Sequence, residues 1–241
     1  MSKRLVPLIL AVSLATSVCA LPPLRPRDAV GSSENDEFKA RMEAIKKAAA
    51  ENMASLRQYT WLERTTLFYK GEIKNVKDQQ VKFGPDGKPE KTLISSSPEE
   101  KKKGGLRGKI VEKKVDDLKE YMERVGALVE QYVPPVPPKM QQAYQAGHVM
   151  FGSGGAGLTR IEIRDYVTAG DLVTMKYDMA RKKLRTLDVS TFLDEKDPVT
   201  LAVTFKTLPD STNYASVSIL NAEAKKVEVK VEAFDHRKIS N

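Results

Sequence analysis

The chain has 241 residues, 41% of them apolar and 30% charged, with a formal net charge of +8. These are the values of a protein with a real hydrophobic core, and they exclude wholesale disorder. Cys19 is the single cysteine, which excludes a disulfide framework and a cysteine-based metal site.

Read from the start, Lys3 and Arg4 precede an apolar run over residues 5–18, and Val18-Cys19-Ala20 places small or β-branched residues where a signal peptidase reads. At about fourteen residues the run is short of the roughly twenty that cross a bilayer, and Pro7 interrupts it. It reads as a signal peptide, residues 1–20, cleaved after Ala20, in preference to an uncleaved anchor or a lipid-modified Cys19. The expected location is therefore the periplasm, with a mature net charge of +6 once Lys3 and Arg4 are lost. That excess attracts anionic surfaces. The bases are not interleaved with aromatics as in a nucleic-acid patch, so no nucleic-acid partner is expected.

Residues 21–33 read as a flexible leader and 34–241 as one domain. Phe38, Met42, Ile45, Ala49, Met53 and Leu56 recur at helical spacing, with Ser33 and Asp36 placed for a capping box. A β-meander follows: a strand over 59–70 with Trp61, Thr65, Leu67 and Tyr69 on one side, a poorly alternating strand over 72–83, expected at an edge or exposed, and a third beyond Gly84-Pro85-Asp86-Gly87. Residues 95–105 form a linker holding Lys101, Lys102 and Lys103, which suit transient contact with an anionic membrane surface. A helical insertion spans 106–146. Its apolar stripe runs from Val111 to Val133, stops at the prolines of 134–138, and gives way to a short helix starting at Pro138.

From residue 148 strand follows strand, over 158–167, 171–179, 183–193, 198–208, 214–220 and 225–234, several alternating cleanly between apolar and polar. GSGGAG at 152–157 matches a dinucleotide-loop pattern, but it leads into a strand instead of a helix and reads as a loop between strands. His148 and His236 each stand alone and read as surface or edge positions. His148 is expected to be exposed with no carboxylate within hydrogen-bond reach, because Val149 and Phe151 compete as the inward set. The carboxylate pairs Glu162 and Asp165, Asp194 and Glu195, and Asp116 and Asp117 read as solvated faces. No catalytic residue, metal site or cofactor is therefore expected.

The expected fold is α+β: a large curved antiparallel sheet, a half-open barrel, with amphipathic helices covering its concave apolar face. Such a concavity suits a hydrophobic ligand. Trp61, Leu67, Met175, Tyr177, Val203, Phe205, Val217 and Ile219 are the expected lining, with Met53, Met122, Met150, Met175 and Met179 as adaptable walls.

The order of elements, with SLRQYTWLERTTLFY entering the sheet directly after the first helix, resembles the periplasmic carriers of the outer-membrane lipoprotein-sorting system. The resemblance implies a half-barrel lidded by helices, sheltering the acyl chains of a lipid or lipid-anchored protein. The carriers' early strand carries an Arg-Pro pair; here Arg64 lacks the proline, and Asp86-Gly87 leads into KPEKTLI without an aromatic. The leading expectation is an envelope carrier or sensor, and the alternative is a non-enzymatic interaction module with a filled core.

Overall fold

The computed structural model describes residues 32–97, 106–194 and 196–239. The expected signal peptide, most of the expected leader and Lys101, Lys102 and Lys103 lie outside these residues, as do the side chains of Ser33 and Asp36. The elements run α1 (Ser32–Leu56), β1 (Tyr59–Tyr69), β2 (Glu72–Phe83), β3 (Pro89–Ser96), α2 (Leu106–Val129), α3 (Pro137–Gln145), β4 (Val149–Ser153), β5 (Thr159–Arg164), β6 (Leu172–Asp178), β7 (Lys183–Leu193), β8 (Asp197–Thr207), β9 (Asn213–Ala222) and β10 (Val227–Lys238), with one 3-10 turn at Glu223–Lys225.

All ten strands join one antiparallel sheet in the order β3-β2-β1-β10-β9-β8-β7-β6-β5-β4, and the sheet does not close. Every neighbour is a sequence neighbour except β1 beside β10, which ties the first meander to the last. The helical segment between β3 and β4 thus separates the two edges of the sheet.

Cross-strand partners share a face, so the register shows what the alternation achieves. Ile163, Val173, Val189, Leu201, Leu220, Val229 and Leu67 lie opposite one another across seven strands in a continuous apolar row. Two clusters form on this face. In one, Tyr132, Met140 and Ala143 from the helical segment meet Ile161, Ile163, Val173, Met175, Tyr177, Leu187, Val189, Leu201 and Val203, with Met42 and Ile45 of α1 against it. In the other, Tyr121 and Val125 of α2 meet Leu193, Val199, Ala222 and Val227, with Leu67 and Tyr69 of β1 alongside.

Polar groups fasten the helices. Asn52 of α1 accepts from the Asn213 backbone N–H at 2.6 Å and donates to the Asn213 carbonyl at 2.7 Å. This corrects the expected stripe, which continued through Ala49 and Met53: those two are exposed, and Ala48 and Asn52 turn inward. The amide wins the position because it satisfies both backbone groups at the start of β9. Beneath the end of α2, Asp171 is 2% exposed and accepts from the backbone N–H groups of Tyr166, Val167 and Thr168 and from the Tyr132 hydroxyl. Tyr132 also bonds Thr191 at 2.7 Å. Burial pushes the Tyr132 hydroxyl well above its usual range, with the Asp171 carboxylate adding to the effect.

Sheet burial is lopsided. The poorly alternating β2 is largely exposed, but the edge is β3, all eight residues of which are exposed.

Candidate functional site

The apolar face holds a cleft of about 280 Å³ where α1 crosses the β4 end of the sheet. Arg41, Met42 and Ile45 of α1, Phe151 of β4, Thr159 and Ile161 of β5 and Met179 just beyond β6 line it. The helical spacing of 41, 42 and 45 puts these side chains on one flank of α1, and the pairing of Phe151 with Ile161 sets two apolar residues side by side on the sheet. Phe151 is 43% exposed and Met179 38%, whereas Ile161 is 2% exposed and forms the floor. Phe151 is itself part of a ring cluster. Phe38 stacks on Tyr144 of α3 at 3.6 Å and meets Phe151 edge-on at 6.2 Å. The chemistry on offer is apolar contact beside one guanidinium and one hydroxyl, the pattern of a site that binds a greasy group and orients it by a few polar contacts.

The eight expected lining residues divide differently. Met175, Tyr177 and Val203 are buried in the packed core with Phe205 against it, and Leu67 packs under α2. Trp61 is buried, its ring stacked on His236 at 5.7 Å with Phe83 at 5.6 Å. Val217 lies opposite Thr204 and Glu232, and Ile219 opposite Ala202 and Lys230. The expectation that these two point inward is corrected: a register shift between Thr204 and Phe205 puts Ser218 and Leu220 on the apolar face instead. None of the eight lines the cleft. Of the methionines, Met179 lines it, Met175 is in the core, Met122 packs under α2, and Met53 and Met150 are each 42% exposed.

The titratable candidates are placed as follows. His148 has a 41% exposed side chain, and the nearest carboxylate oxygen, on Asp165, stands 3.6 Å away. Asp165 spends its other oxygen on the Gly170 N–H. Glu162 faces Arg160 at 3.3 Å, and Asp194 pairs with Arg124. His236 is not the surface or edge residue expected of it. It sits between Trp61 and Tyr214, with the Tyr214 ring at 4.0 Å, and burial lowers its pKa. A left-handed Asp235, φ 53°, bulges the strand and lets the ring turn in. The GSGGAG segment joins β4 to β5 through a turn closed by the Gly154 N–H to the Leu158 carbonyl, with Gly155 and Gly157 at φ near +75°, conformations that glycine adopts without penalty.

Among the described residues no group of three His, Cys, Asp or Glu side chains could hold a metal ion, and no helix is long and apolar enough to cross a membrane. No family model, curated protein or solved structure matches this chain.

The helical spacing puts Met42 and Ile45 on the buried stripe of α1, but it does not name Phe151 and Ile161 as their partners. The helical period tells which side of α1 is buried. Which strands that side crosses is a tertiary fact with no local signal.

Proposed function

We propose that the chain is an exported envelope protein that binds without catalysing, its sheet curved into a half-open barrel, and that the cleft beside α1 takes the apolar end of a lipid, an acyl chain or a lipoprotein. The observation that carries this reading is the run Met42, Ile45, Phe151, Ile161 and Met179 around an open apolar cleft, two of the five left substantially exposed. Solvent-facing Phe and Met at the mouth of a cleft cost free energy that a bound apolar group would recover. At about 280 Å³ the cleft is near the bottom of the roughly 300–1,000 Å³ range of small-molecule sites. It suits a few carbons of a chain, so the remainder of the ligand lies outside. Mass spectrometry of the protein purified from its native envelope should reveal bound lipid, and a fluorescent fatty-acid probe should bind saturably. A clean apoprotein that also ignores the probe would overturn this reading.

One observation favours a second reading, the interaction module. The core beneath α2 and α3 is filled by Tyr132, Met140, Met175 and Tyr177, while β3 presents an open edge and Ile73, Leu93 and Ile94 stand 57–60% exposed on the β2–β3 hairpin. Replacing Lys101, Lys102 and Lys103 by Glu should abolish capture of an envelope partner under this reading and leave probe binding unchanged under the first.

A further inference from the structure

We propose that a second site, a groove on the face of the sheet away from the helical clusters, binds a small organic anion, with its acid group at Arg64 and Lys206 and its apolar body on Phe234 and Val217. The inference is independent of the cleft, which lies on the other face.

The groove measures about 420 Å³ and is lined by Arg64, Lys206, Tyr214, Ser216, Val217, Glu232, Ala233 and Phe234. It follows from the register. Arg64 of β1 is opposite Glu232 of β10 on one side and Asp78 of β2 on the other, and Lys206 of β8 is opposite Tyr214 of β9. Shifts between Thr204 and Phe205, and between Thr60 and Leu62, break the ladders nearby, and such irregularities bend strands and open space between side chains.

The charges select the sign of the ligand. Arg64 gives Nε and Nη2 to Asp78 at 2.7 and 2.8 Å, which fixes the plane of the guanidinium and leaves Nη1 outside that fork. Glu232, the one carboxylate in the lining, carries the Lys230 ammonium at 2.9 Å. Lys206 has no such partner and is the unpaired charge among the described lining residues. An incoming anion therefore meets a free ammonium and an oriented guanidinium, with both neighbouring carboxylates already compensated. A cation would meet the same surplus as repulsion.

The floor selects the body. Phe234 is 39% exposed although its ring lies under Arg64, whose Cζ is 6.0 Å from the ring centre. A ring or short alkyl group laid on Phe234 and Val217 removes apolar surface from water and carries its acid group toward the two cations. Inorganic phosphate offers only half of this recognition.

Calorimetric titration of the purified full chain with 2-naphthoate tests the assignment. One molecule should bind per groove, at least tenfold more weakly in Lys206→Glu, Lys206→Met and Phe234→Ser, with 2-naphthamide and inorganic phosphate each at least tenfold weaker than 2-naphthoate on the unaltered chain. Lys206 and Phe234 are exposed, so circular dichroism should show the fold retained. The variant Met42→Glu, in the cleft on the other face, should leave the affinity unchanged. Absence of saturable binding, unchanged affinity in the Lys206 variants, equal binding of the amide, or a loss confined to Met42→Glu would overturn the proposal.

Discussion

Strands β5–β8 and the hairpin β2–β3 belong to one sheet and obey the same pairing rules, yet they differ in almost every other respect. In β6 the alternate residues Val173, Met175 and Tyr177 are each at most 6% exposed, and helical side chains meet them. In β3 nothing is buried, and in β2 the one fully buried side chain is Val81, opposite Trp61. Backbone pairing therefore suffices to extend a sheet, but a core forms only where an apolar face meets a helix that can bury it. The hairpin is tied to β1 by cross-strand polar pairs instead: Arg64 with Asp78, an exposed contact that contributes little, and Lys91 with the buried Glu63.

This difference can be broken by substitution. The largest effect is expected at Asp171: changing it to Ala removes the acceptor of the buried Tyr166 N–H, of the part-buried Val167 and Thr168 N–H groups and of the buried Tyr132 hydroxyl, and should cost about 3 kcal/mol or more in urea unfolding. Val173→Ala, at 1% exposure, should cost about 2 kcal/mol from lost transfer energy and the cavity left behind. Asn52→Ala, which strips both backbone bonds from Asn213, should cost about 1–2 kcal/mol and loosen α1.

A pH effect comes next. His236 is held below its usual pKa by burial between rings. The unfolded chain therefore takes up the proton first as pH falls, and stability is lost from about pH 6.5 downward until the folded-state pKa is passed. His236→Phe should flatten that part of the curve measured by thermal melting. Asp210 acts lower in the acid range. Its bonds from Tyr59, Thr212 and Lys238 hold its pKa well below the usual value, so its contribution persists below pH 6 and fades only in strong acid.

The smallest effects belong to the hairpin. Leu93→Ser and Ile94→Ser, both 57% exposed, should shift unfolding by less than about 0.5 kcal/mol. A cost near that of Val173→Ala would mean that the hairpin is buried against something, and the contrast between the two regions would fail.

The contrast was partly legible in the residues. The clean alternation of Val173, Met175 and Tyr177, and of Val199, Leu201 and Val203, announced buried faces, and the weak alternation of 72–83 announced an exposed strand. Strand limits from residue 158 onward were close because turn residues punctuate them. Three features were not legible. The bulge that turns Val217 and Ile219 outward depends on pairing with β8, and a register shift leaves no mark in the alternation of one strand. Asn52 interrupts an apolar stripe for the sake of a partner 161 positions away. Asp171 reads as the opening residue of the strand over 171–179, and only the fold brings Tyr132 and Thr191 to it. The cleft belongs with these: Met179 is among the expected methionine walls, but Phe151 reads as an ordinary strand residue until α1 is laid beside it.

Methionine methyl groups report on the binding proposal directly, because they sample every environment concerned: Met42 and Met179 in the cleft, Met140 and Met175 in the core, Met122 under α2, and Met53 and Met150 exposed elsewhere. In a protein labelled at these methyls, titration with decanoate followed by NMR should move Met42 and Met179 saturably and together, leaving Met53, Met122 and Met150 in place. Shifts that are absent, spread evenly over all methyls, or centred on Met122 and Met175 would contradict binding in the cleft beside α1.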